Sequence, residues 1–67
     1  MSYLTVKEVK KILGISGSKA YVIIRQLNNE LKANGYITIA GKVPTKYFLE
    51  KYYCDIDEVI EELRIAN

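Results

Sequence analysis

Two amphipathic helices joined by a glycine-containing turn, followed by a β-branched stretch that reverses at Ala40-Gly41, predict a mainly α-helical domain with a small β-hairpin. The length makes it one domain: 67 residues leave room for a single thin core and no second one. Residues 1–53 read as the two helices, the hairpin and a short third helix, and residues 54–67 as an acidic C-terminal helix packed on or extending the same domain.

The first helix opens at Thr5. Thr5 and Glu8 have capping-box spacing, and Leu4 and Val9 stand where a hydrophobic staple would close over that cap. Val6, Val9, Ile12 and Leu13 form its apolar stripe, and Gly14 ends it by accepting a left-handed backbone. Only Ile15 separates Gly14 from Ser16, a good N-cap for a second helix to about Asn34. Ala20, Ile23, Ile24, Leu27 and Leu31 fall on one face of that helix, and Gly35 stops it. Tyr36-Ile37-Thr38-Ile39 reads as a strand, Ala40-Gly41 as a tight turn and Lys42-Val43 as a short return strand. Pro44 and Thr45 start a third helix through about Tyr52, with Tyr47, Phe48, Tyr52 and Tyr53 packing inward. Asp55 and Glu58 open a last helix whose stripe is Ile56, Val59, Ile60 and Leu63.

The charge is segregated. Residues 1–53 carry nine cations against three carboxylates, a net of +6, and residues 54–67 carry one arginine against five carboxylates, a net of −4. A basic body of this kind is suited to meeting a polyanion. Several other classes are excluded or disfavoured. A single cysteine, Cys54, closes no internal disulfide, and with no histidine there is no Cys₂His₂ or Cys₄ zinc site and no Ser-His or Cys-His nucleophilic pair. So small a domain has little volume for a concave pocket, so neither catalysis, a cofactor nor a small-molecule ligand is expected. No apolar run approaches the ~20 residues of a membrane span. The start of the chain carries capping signals and three lysines rather than a leader, so a cytoplasmic location without membrane contact is expected.

Helix, tight turn, longer helix, hairpin, helix is the element order of a winged helix-turn-helix. A helix fits a DNA major groove of about 12 Å, its N-terminal N–H groups favour phosphate, and a hairpin tip reaches the neighbouring backbone. With the apolar stripe of the second helix inside, its opposite face holds Ser18, Val22, Arg25 and Asn29, flanked by Gly17, Lys19, Tyr21 and Gln26. Arg25 is suited to guanine or phosphate, and Ser16, Ser18 and Lys19 near the helix start to phosphate. The Tyr21 hydroxyl is suited to phosphate as well, and Val22 to a thymine methyl. Lys42 beside the turn would be the cation of the hairpin tip, with Lys46 and Lys51 as weaker candidates. Six tyrosines invite a base-stacking reading, but Tyr36, Tyr47, Tyr52 and Tyr53 adjoin predicted core positions, where ring-in, hydroxyl-out packing accounts for them.

The segments Tyr3-Leu4-Thr5-Val6-Lys7-Glu8-Val9, Ile12-Leu13-Gly14-Ile15-Ser16, Ser18-Lys19-Ala20-Tyr21 and Ile24-Arg25 resemble the excisionase-type helix-turn-helix domains of the MerR-like winged-helix group. Gly35-Tyr36-Ile37 and Gly41-Lys42-Val43-Pro44 resemble that group's wing and the start of its following helix. The likeness spans residues 3–53. It implies a double-stranded DNA partner and a role in DNA recombination, as an excisionase of a phage or integrative element, or else in transcription regulation. Gly17 and Val22 depart from it, since such proteins often carry a basic or polar residue at these places. The rival class is a protein-interaction module without DNA binding. A single small module covers only about 600–1,000 Å² on DNA, so a contact with itself or with a recombinase is expected. Ile56, Val59, Ile60 and Leu63 are candidate protein contacts, the other use of that stripe being the domain's own core.

Overall fold

The computed structural model describes residues 2–65. In chain order its elements are β1 (Tyr3–Thr5), α1 (Val6–Leu13), α2 (Gly17–Ala33), β2 (Lys42–Pro44), α3 (Thr45–Lys51) and α4 (Ile56–Ile65). Met1, Ala66 and Asn67, the ends of the two segments read from the sequence, lie outside the described residues. The protein is mainly helical, with one two-stranded antiparallel sheet.

The start of α1 follows from its cap. Thr5 Oγ1 accepts the Glu8 N–H at 3.3 Å, and Glu8 Oε1 accepts the Thr5 N–H at 2.9 Å, so two orphan donors are satisfied reciprocally. Leu4 and Val9, the staple pair, are both fully buried. At the other end Gly14 takes φ 64°, and the Ile15 N–H returns to Lys10 O at 3.2 Å, which closes α1 as a Schellman turn. Ser16 then caps α2, its Oγ accepting the Lys19 N–H at 3.2 Å. Seventeen residues later α2 ends the same way: Gly35 has φ 87°, with Gly35 N–H to Lys32 O at 3.0 Å and Tyr36 N–H to Leu31 O at 3.0 Å.

The sheet differs from the hairpin that local propensity predicts. Residues 36–38 form no strand, and only a single bridge, Ile39 with Lys42, remains across the Ala40-Gly41 turn. The return strand instead pairs with the start of the chain, Tyr3 with Pro44, Leu4 with Val43 and Thr5 with Lys42, and Thr45 N–H continues the contact to Ser2 O at 2.9 Å. The reason is burial. Leu4 and Val43 sit opposite each other, both at 0% exposure, so this pairing buries one apolar side chain from each strand. Ile37 has no such partner and stands 94% exposed.

The core gathers Leu4, Val9, Ala20, Ile24, Leu27, Val43, Phe48 and Val59, so every element contributes to it. The acidic helix α4 packs on α1 through Val59 (1% exposed), with Leu63 half-buried against the same core. Asp55 Oδ1 accepts the Glu58 N–H at 2.9 Å at its start. In α3 Phe48 is buried and Tyr47 half-buried, while Tyr52, just past the helix, stacks on Phe48 with ring centroids 4.9 Å apart but stays 41% exposed, short of the inward packing expected of it. The inward packing expected of Tyr53 does not occur. Tyr53 occupies the left-handed position after α3 (φ 49°), its neighbour Cys54 N–H bonds Leu49 O at 3.1 Å, and the residue is 96% exposed. Tyr36 likewise lies outside the core, because the strand that would have carried it inward does not form.

Candidate nucleic-acid interface

The buried stripe of α2 determines what its other side presents. Ala20, Ile24, Leu27 and Leu31 face inward, and Ser18, Lys19, Tyr21, Val22, Arg25, Gln26 and Asn29 are exposed along the opposite face. Tyr21 (47%) and Val22 (41%) belong to this face and not to the core. At the N-terminus Ser16 spends its hydroxyl oxygen on the cap, which leaves its O–H as a donor toward an approaching anion. Gly17 opens the helix, and a Cβ added there would meet nothing within 4 Å.

The 39–42 turn lies along one edge of this face, where it adjoins the buried side. Between them runs a groove of about 320 Å³, with Tyr21, Arg25, Asn29 and Lys32 on the helix side and Thr38, Ala40 and Gly41 on the other. Lys42 is exposed at the turn's end. Arg25, Lys32 and Lys42 therefore gather around one groove between the molecule's longest helix and its neighbouring turn, and Lys19 stands on the other flank of α2 near its N-terminus. Among the described residues none of the four pairs with a carboxylate. An array of unpaired cations beside a groove is chemically a polyanion surface.

Two residues of this surface escape the sequence reading. Lys32 extends the Arg25–Asn29 row by three positions, a spacing that could have revealed it. Asn28 lies on the buried side of α2, four residues after Ile24 and three before Leu31, and is 6% exposed. A polar residue inside an apolar stripe is the signal for it. Its Nδ2 donates to Ile39 O at 3.1 Å and Lys42 O at 2.9 Å.

The other candidates are placed elsewhere. Lys46 lines a separate groove with Tyr3, Tyr36 and Pro44. Lys51 pairs with Glu30 Oε1 at 3.2 Å, an oxygen that also accepts the Tyr47 hydroxyl at 2.6 Å, so these three side chains clasp α3 to α2. The Tyr47 hydrogen bond, then Lys51, holds the Glu30 carboxyl below its ordinary value, and the same bond holds the Tyr47 phenol above its own. On α4, Val59 and Leu63 turn to the core, and Ile56 and Ile60 remain exposed. None of the described helices is long and apolar enough to cross a membrane.

Comparison with known proteins decides the family. The chain is 46% identical to the ICEBs1 excisionase of Bacillus subtilis (strain 168) over 52 residues, which cover 78% of this chain and 80% of the relative. The chain belongs to the excisionase family. No protein-family model and no solved structure matches this excisionase-family chain.

Proposed function

We infer that this excisionase-family protein is a recombination-directionality factor that binds duplex DNA as a winged helix-turn-helix of the MerR-like group. The observation that carries the reading is the kinship with an excisionase over most of both chains. It is supported by a surface where α2 presents Arg25 and Lys32 beside a turn carrying Lys42.

In this reading α2 lies in the major groove with Ser16, Gly17, Ser18 and Lys19 at a phosphate, where the helix N-terminus adds its own N–H groups. Arg25, Gln26 and Asn29 face base edges, with Val22 against a thymine methyl and the Tyr21 hydroxyl at a phosphate. The 39–42 turn is the wing, and Lys42 meets the adjacent backbone. The protein works in the cytoplasm on the ends of a phage or integrative element. It bends or organises them for a recombinase and catalyses nothing itself. Its partners are double-stranded DNA, the recombinase and further copies of itself bound to neighbouring sites. Ile56 and Ile60 are the part of the α4 stripe open to a protein contact.

The test is an in vitro excision reaction containing the element's recombinase and its two end sequences. Adding this protein should retard both end fragments on a gel and raise the yield of excised circle. Excision at equal yield without it, or failure to bind either end, would overturn the assignment.

A further inference from the structure

We propose that Asn28 is a positioning residue that locks the wing to the reading helix, so that α2 and Lys42 engage DNA as one rigid unit. The proposal rests on the DNA-binding reading above. The two carbonyls that Asn28 Nδ2 grips belong to Ile39 and Lys42, the two residues that face each other across the turn. One side chain therefore ties both sides of the wing to α2.

Little else holds the wing in that place. Its single ladder bond is Lys42 N–H to Ile39 O at 3.1 Å. Residues 36–38 pair with no strand. The loop is anchored at one end where Tyr36 N–H bonds Leu31 O, and at the other where Val43 pairs with Leu4. Among the described residues, the hydrogen bonds from the 39–42 turn to α2 are those of Asn28.

The chemistry of the side chain matches a latch better than a packing residue. Both Nδ2 hydrogens are used, while Oδ1 is buried with no hydrogen-bond partner. A buried amide with one unsatisfied end costs desolvation that its two donors must offset. Fixing the Lys42 carbonyl also fixes the peptide from which the exposed Lys42 side chain departs. Arg25 and Asn29 lie three residues before and one residue after Asn28, so the same helical turn carries the latch and the centre of the reading face. The width of the groove between Arg25 and Gly41 then depends on Asn28.

The experiment is a double-mutant cycle of Asn28→Leu and Lys42→Ala on a random-sequence 30-base-pair duplex, titrated against salt. Thermal unfolding of each variant identifies those folded at the assay temperature. A leucine of nearly the same shape removes both Nδ2 donors without adding charge to the groove and releases the wing. Asn28→Leu should then make the salt slope shallower by about 0.9, the share of one phosphate. In the Lys42→Ala background it should change affinity by less than twofold. Equal losses in both backgrounds, or unchanged binding by a folded Asn28→Leu, would overturn the proposal. A ¹⁵N spectrum of the wild-type protein covers the case in which Asn28→Leu does not fold. The Asn28 side-chain amide protons should exchange slowly in the free protein, and exchange at the rate of an exposed amide would overturn it. If wild-type protein fails to bind the duplex at low salt, the functional reading fails instead.

Discussion

Arg25 stands at the centre of the exposed face of α2, with the groove to the wing beside it and no carboxylate paired to it. Arg25→Ala should weaken binding to the protein's own site by roughly 1–3 kcal/mol if the guanidinium reads a base. Competition titrations with cognate and scrambled duplexes measure this. A uniform loss on both would reassign Arg25 to phosphate, and no loss in a folded variant would remove this face from the groove. On the opposite side of α2, Glu30 carries a different expectation. Its pKa is lowered by the Tyr47 hydroxyl first and Lys51 second, so the ionised form is the one the fold favours. That contribution is present above the ordinary carboxylate pKa and is lost as pH falls through the lowered value. Tyr47 is the converse case: its raised pKa favours the protonated phenol, a contribution lost as pH rises through the raised value. In Tyr47→Phe the Glu30 titration midpoint, followed by carboxylate ¹³C NMR, should move up. A midpoint that stays in place would mean that Lys51 alone sets it.

At the scale of elements, three helices end in the same left-handed turn, at Gly14, Gly35 and Tyr53. The two glycines adopt it without strain. A tyrosine does not, because its Cβ crowds the carbonyl oxygen. The exposed Tyr53 ring gains little packing in exchange. Tyr53→Gly should therefore stabilise the fold by about 0.5–1 kcal/mol after the glycine's greater unfolded-state entropy is counted. In a thermal melt this corresponds to a rise of about 3–6 °C for a domain of this size, and a lowered midpoint would show that the ring is held by contacts worth more than the strain. The wing carries the second expectation at this scale. Lys42 projects from a turn with one bridge and a long exposed approach, and in the proposed reading it meets backbone without reading sequence. Lys42→Ala should lower affinity equally on cognate and unrelated duplexes and make the salt slope shallower by about one. Stability should change by no more than about 0.5 kcal/mol. Loss on the cognate duplex alone would mean that the wing reads bases, and no loss on either would mean that it points away from DNA.

At the scale of the whole molecule, the +6 body and the −4 end are packed into one core through Val59, so a modest net charge of +2 conceals a polarised protein. Four cations carry the proposed DNA contact, Arg25, Lys32 and Lys42 around the groove and Lys19 near the start of α2. If each neutralises one phosphate, log K should fall with log salt at a slope of about −3.6. Fluorescence anisotropy on a labelled duplex checks this, and a flat salt dependence would remove the polyanion reading. The helices, their caps and the α2 face were legible in the chain because each depends on residues three or four apart: Thr5 with Glu8, Ser16 with Lys19, Ala20 with Ile24 and Leu27. Such contacts form within one turn, and their pattern is printed in the spacing. The return strand at Lys42-Val43 was legible too, but its partner in the sheet was not. Residues 36–39 have strand propensity, yet β2 pairs with Tyr3–Thr5, because the Leu4–Val43 pair buries two side chains that sit about forty positions apart in the chain. Asn28 is the same lesson at the site: its partners lie 11 and 14 residues away, beyond the reach of any local pattern. Local sequence thus determined which segments are helical and which face of α2 is free. Tertiary structure alone decided where the wing is held, because that depends on which distant groups burial brings within hydrogen-bonding distance.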